Sequence, residues 1–202
     1  MINIIIVIEG VDGSGKTTQS RMIYEKLKSE GFSTSYIRPV FFLLGFFMSE
    51  KGLSVSPRKM QTKGNGANPA FLKIIGLFYA YLSILAIKIY STGRIVVCDR
   101  YFYQYFYDLF GERAPVYVKY FPKPDLTLWL DIGIDSLYGR VDEKDAAVDK
   151  KYYLKVMRYY ESISTLCRFI KIDGNLEKQV IHDLLAENIH EKIRGSFRCS
   201  KD

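Results

Sequence analysis

Cysteine and histidine are scarce in this chain, which has three of the first and two of the second among 202 residues. Cys98, Cys167 and Cys199 form no C-x-x-C pair and are odd in number. That argues against a disulfide framework and a zinc site and makes a reducing cytoplasm the expected compartment. His182 and His190 fall on a C-terminal segment of helical period and are expected to be solvated rather than ligating. No basic lead-in precedes the first apolar run, so no secretory leader is expected, and there is no internal repeat. Neither sign of charge dominates: 29 Lys and Arg against 22 Asp and Glu leave a net +7. That balance favours anionic partners without singling out nucleic acid. With 48% hydrophobic and 25% charged residues, one globular domain over residues 1–202 is expected.

Long apolar runs are few. Val40–Met48 is too short to cross a bilayer, whereas Phe71–Tyr90 has the length for it. Asn68-Pro69 supplies a cap and a first-turn proline, and Lys73 and Lys88 stand near the two ends. This predicts a helix belonging to the core or to a subunit interface, with no membrane span.

What the sequence does contain is Gly10-Val11-Asp12-Gly13-Ser14-Gly15-Lys16-Thr17-Thr18, between the apolar run Ile4–Ile8 and an amphipathic stretch reaching about Glu30. It fits G-x-x-x-x-G-K-[ST], the P-loop, in its strand–loop–helix context. The glycines let backbone N–H groups wrap phosphate oxygens, and the helix start adds uncapped N–H groups and partial positive charge. Lys16 is the mobile cation for the β- and γ-phosphates, and the Thr17 hydroxyl is placed for Mg²⁺. The pattern predicts binding of ATP or another nucleoside triphosphate.

Further strands are predicted at Ser33–Arg38, Arg94–Cys98, Asp125–Ile132 and Phe169–Ile172, with helical stretches after the P-loop, over Phe71–Tyr90, beginning at Ser136 and from Tyr152, and a closing helix over Leu176–Ile193. Residues 51–68 are polar and rich in Gly, Lys and Ser, as in a loop, and the tail over 195–202 is expected to be flexible. Val40–Met48 is either a buried helix or the wall of a second site. Alternating strands and helices imply a parallel sheet covered on both faces, with ligands beyond its carboxyl edge. The third strand delivers Asp99 and Arg100 to that edge. Asp99 is the expected partner of Thr17 on Mg²⁺, and Arg100 can clamp a phosphate bidentately. Asp12 either faces away from the phosphates or accepts from a sugar hydroxyl of a second nucleotide. Glu9 is a candidate for holding the loop in shape.

Taken together, these strings resemble the thymidylate kinase family. Glu9–Gln19 reads EGVDGSGKTTQ, Asp99–Tyr101 is its Asp-Arg-Tyr, and Pro124–Asp131 reads PDLTLWLD. The resemblance spans nearly the whole chain. It implies a P-loop NTPase-type α/β fold, a five-stranded parallel sheet with helices on both faces and a short lid over about 140–151. It also implies transfer of the ATP γ-phosphoryl to dTMP, Mg²⁺ as the metal, and a homodimer through apolar helices. By position, Lys16, Arg100 and Arg140 of the lid would be catalytic. Asp12 would meet the acceptor sugar, and Arg38 and Arg100 its phosphate. Tyr101 and Gln104 would belong to the acceptor side.

The chain also departs from the family. Arg38-Pro39-Val40 lacks the usual glutamate and glycine after strand two. Phe78 resembles the base-stacking phenylalanine, yet Leu82 stands where an arginine would read the pyrimidine. Phe71 and Phe78 are therefore either base-stacking or core residues. After Asp-Arg-Tyr, Gln104, Tyr107 and Asp108 replace the family's serine and alanine-tyrosine. With Gly13 and Ser14 in the P-loop, lid cations are needed, and the lid offers Arg140 with Lys144, Lys150 and Lys151. The alternatives left open are another monophosphate as acceptor, a catalytically weak ATP-binding homologue, and a nucleic-acid-dependent ATPase.

Overall fold

β1 (Ile4–Glu9) is buried at every position and reads as a continuous apolar run ending in a glutamate. Such a run suits a central parallel strand covered on both faces. β2 (Thr34–Ile37), β3 (Ile95–Asp99), β4 (Leu126–Asp131) and β5 (Ile170–Asp173) join it in the order β2-β3-β1-β4-β5. Every pairing is parallel. The computed structural model describes residues 3–43, 69–138 and 150–199. The P-loop NTPase-type α/β fold anticipated above is the fold observed.

Around the sheet lie α1 (Lys16–Ser29), α2 (Pro69–Tyr90), α3 (Tyr103–Phe110), α4 (Ala114–Tyr120), α5 (Ile134–Tyr138), α6 (Lys150–Cys167) and α7 (Lys178–Cys199). The period of two along β1 divides its side chains between two cores. Ile5 and Val7 pack with Ile84 and Ile87 of α2, Phe106 of α3 and Tyr160 and Ile163 of α6. Ile4, Ile6 and Ile8 pack with Ile23 and Leu27 of α1 and Leu185 and Ile189 of α7. Ile8 pairs with Asp99, so the chain leaves β1 and β3 side by side at the carboxyl edge. That edge, between strands whose connections run to opposite sides, is where open α/β sheets bind ligands.

Several expectations change. α4 occupies a stretch for which no helix is predicted; Pro115, in its first turn, suits a helix start. α7 does not end near Arg194 but continues to Cys199, anchored by buried Ile189 and Ile193. His182 is buried rather than solvated, and burial pushes its pKa down. Residues Pro39–Phe41 form a single 3₁₀ turn. Residues 44–48, the 51–68 stretch and residues 140–149 of the expected lid lie outside the described residues, Arg140 among them, whereas Lys150 and Lys151 open α6.

α2 is long and apolar enough to cross a membrane by length and composition alone, and only 22% of its most apolar window is buried. Ala80, Ser83, Ile84 and Ile87 face the sheet, whereas Phe71, Ile74, Phe78, Leu82, Leu85 and Ile89 are exposed along the opposite side. A helix apolar all round can bury only the side that meets the sheet. Phe71 and Phe78, 59% and 67% exposed, are thus not core residues.

Candidate active site

The P-loop leaves β1 through Gly10, whose backbone sits at φ +153°. A Cβ there would lie 2.4 Å from Ser14 Oγ and 2.8 Å from Leu130 O, so only glycine fits the turn. Gly15, at φ +88°, caps α1 in the left-handed region with no side-chain cap on the helix. The first N–H groups of α1 are consequently left for an anion, as a phosphate cradle requires. Ser14 N–H donates to Val11 O at 3.1 Å and closes the turn, while Val11's side chain is buried in the core. Gly13 and Thr18 are exposed.

Within this loop Lys16 Nζ donates to Val11 O at 2.7 Å and to Asp12 Oδ1 at 3.1 Å. Arg100 reaches the same oxygen from the end of β3, its Nη2 donating to Asp12 Oδ1 at 2.7 Å. The backbone makes this approach possible. Arg100 sits at φ +73°, a left-handed conformation that a non-glycine residue holds only under constraint. Its N–H is tied to Ile8 O at 3.1 Å. Strain of this kind gathers where a side chain must be aimed. The two cations hold the Asp12 carboxyl well below its ordinary range, Lys16 contributing most. Burial in turn pushes the Lys16 ammonium down, with Asp12 opposing the shift.

Beside this cluster Thr17 Oγ1 donates to Asp99 Oδ2 at 2.9 Å. The pair predicted to hold Mg²⁺ is therefore brought together. The other Asp99 oxygen, Oδ1, is buried and has no hydrogen-bond partner among the described residues. A buried orphan acceptor next to a P-loop threonine fits a hydrated cation, whose waters would donate to it. Arg38 also reaches Asp99, Nε donating to Oδ2 at 2.9 Å.

Two residues of the site escape the motif. Tyr36 donates its hydroxyl to Asp99 Oδ2 at 2.9 Å. The period of two along a strand was the available signal, since it puts Tyr36 on the side that Arg38 takes. Tyr160 of α6 donates to Glu9 Oε2 at 2.9 Å, and Glu9 also accepts from the backbone N–H of Tyr101 and Gly10. In the sequence Tyr160 shows only as one more apolar position of a helical stripe.

Other expected site residues lie elsewhere. Tyr101 is buried, its ring against Phe102, Tyr103 and Phe121 and its hydroxyl donating to Pro122 O at 2.7 Å. Its contact with the site is its backbone N–H, so the side chain is a core residue. Gln104 Nε2 donates to the Tyr152 hydroxyl at 3.4 Å, and that hydroxyl donates to Asp108 Oδ1 at 2.7 Å. Phe71 and Phe78 stand on the outward stripe of α2, and neither joins the hydrogen-bonded cluster.

Fold and site together place the chain in the P-loop class of α/β proteins, with a glycine loop opening on an uncapped helix after the first strand and a buried carboxylate after the third. Comparison with known proteins narrows the class. The family model described as thymidylate kinase matches residues 8–40. A probable thymidylate kinase of Sulfolobus acidocaldarius is 32% identical, the match covering 81% of this chain and 77% of the relative. A probable thymidylate kinase of Methanosphaera stadtmanae is 29% identical over 94% of this chain and 98% of the relative. The thymidylate kinase of Caldanaerobacter subterraneus is 28% identical over 95% and 97%. The chain belongs to the thymidylate kinase family and is a kinase.

Proposed function

We propose that the protein transfers the γ-phosphoryl group of Mg²⁺-bound ATP to dTMP, giving dTDP. The main support is the meeting of Lys16 and Arg100 on one oxygen of Asp12. One cation comes from the phosphate cradle and the other from the end of β3, so positive charge is gathered from both sides of one crevice. Phosphoryl transfer asks for such positioned charge and for little covalent chemistry from the protein. Lys16 would exchange Asp12 for the β- and γ-oxygens of the donor, and Arg100, with Arg38, would take the acceptor phosphate. Asp12, relieved of Lys16, would accept from an acceptor sugar hydroxyl. Thr17 and Asp99 would hold Mg²⁺, which would supply positive charge to the triphosphate. Arg140 would add its charge from the lid.

Incubation with Mg-ATP and a set of nucleoside monophosphates, followed by separation of the products, tests the assignment. The expected result is dTDP as the fastest-formed product. If dTMP ranks below dUMP, dCMP, dGMP and AMP, the acceptor is misassigned.

We place the enzyme in the cytoplasm, in keeping with the free buried thiols Cys98 and Cys167. We further propose a homodimer through α2, because an uncharged stripe from Phe71 to Ile89 is otherwise left in water. Replacing Phe78 and Leu82 together by glutamate is expected to raise the dimer dissociation constant by at least about 10³-fold, since each carboxylate would be desolvated beside its symmetry mate. Sedimentation velocity reports this directly. A wild-type protein that sediments as a monomer at micromolar concentration would end the proposal.

A further inference from the structure

Asp99 makes more hydrogen bonds than holding a cation demands, and they are divided unevenly. Oδ2 accepts from Thr17, Tyr36 and Arg38, each at 2.9 Å, while Oδ1 accepts from none of the described residues. The division follows from the sheet. Ile37 pairs with Cys98, which sets Arg38, just past β2, beside Asp99 at the end of β3. Tyr36 lies two residues before Arg38, so both side chains leave the same face. Arg38 spends only Nε on the carboxylate, and its side chain is 40% exposed. The opposite edge of the guanidinium carries the two terminal nitrogens, the edge that grips a phosphate bidentately.

Building on the phosphoryl-transfer function proposed above, we infer that Tyr36 and Asp99 Oδ2 position Arg38 for the acceptor phosphate, so that one carboxylate serves both substrates. Oδ1 is kept for the metal side and Oδ2 orients the arginine. Tyr36 is a positioning residue: its hydroxyl fixes the rotation of the Asp99 carboxylate and through it the plane of the guanidinium. Without that hydroxyl the carboxylate is held only by Thr17 and by the arginine it is meant to orient. Nothing in the P-loop pattern or the Asp-Arg-Tyr string assigns Tyr36 this part.

Calorimetric titration of dTMP into the full-length protein, with EDTA and without ATP, separates this role from metal binding. Tyr36→Phe is expected to weaken dTMP binding about threefold and Asp99→Asn about tenfold, the second being charge-assisted. In the Arg38→Ala background, itself weakened, Tyr36→Phe should have no further effect, because the shared target is gone. Thymidine, which lacks the phosphate, should bind wild type and Tyr36→Phe equally. Thermal melts of each variant confirm folding, and Tyr36→Phe keeps the ring that packs near Tyr24. Wild-type dTMP affinity in Tyr36→Phe, or a loss that persists in the Arg38→Ala background or extends to thymidine, overturns the positioning role and leaves the kinase assignment standing. Failure of the wild-type protein to bind dTMP would instead overturn that assignment, and this inference with it.

Discussion

Lys16→Ala is expected to lower the rate of dTDP formation by about 10³-fold or more while the protein stays folded. Lys16 is 2% exposed, and its ammonium sits inside the loop that would wrap the triphosphate. Among the described residues it donates to the Val11 carbonyl and the Asp12 carboxylate, both of the same loop. Nothing else in the described part of the loop carries positive charge, so the γ-phosphoryl would move with one cation fewer on the donor side. Stability should suffer little, by about 1–2 kcal/mol, because Asp12 keeps its ion pair with Arg100 and is not left as a lone charge. A steady-state assay coupled to ADP release and a urea melt measure the two effects separately. Transfer at a rate near wild type would show that Lys16 does not act on the moving phosphoryl.

The largest stability effect is expected from Glu9→Ala. Glu9 is fully buried at the end of β1 and joins three elements: Gly10 of the P-loop, the backbone of Tyr101 after β3, and Tyr160 on α6. Burial pushes its pKa up, while the donors around it and the nearby Lys16 and Arg100 act in the opposite sense. Alanine would leave three buried donors without an acceptor, each costing about 1–3 kcal/mol. A loss of about 4 kcal/mol is therefore expected, which for a chain of this length lowers Tm by about 10 °C. Glu9→Gln, which keeps one acceptor but turns an NH₂ toward a donor, should lose about half as much. Tyr160, stacked on Trp129 at 6.1 Å between centroids, should stay in place in both variants. Urea unfolding of Glu9→Ala within about 1 kcal/mol of wild type would mean that the orphaned donors find other partners.

The two substitutions divide the site along a physical line. Lys16 is held by its own loop and by one carboxylate, so its removal is felt in chemistry. Glu9 ties separate parts of the chain together, so its removal is felt in folding. Lys16 is recognisable in a string of nine residues, whereas Tyr101 and Tyr160 meet Glu9 only once the sheet has formed.

That contrast runs through the whole molecule. The parallel sheet was legible because buried parallel strands have no polar face: IIIVIE and LTLWLD announce themselves as runs. The phosphate loop was legible because it is built from consecutive residues whose backbone conformation requires glycine at fixed spacing. α4 was not, being short and lacking any strong apolar period. The state of α2 was not legible either. A helix apolar all round looks the same in sequence whether it is buried, spans a membrane or turns one face outward, and only packing against the sheet fixed which side is covered. By itself, then, the order of residues determined what depends on neighbours along the chain: strands, the cradle, and the Asp99-Arg100 pair at a strand end. The tertiary structure alone decided which side chains share one oxygen, such as Lys16 with Arg100 on Asp12, and Thr17, Tyr36 and Arg38 on Asp99. Hydrogen bonds between residues that strand register and helix packing bring together leave no periodic mark along the sequence.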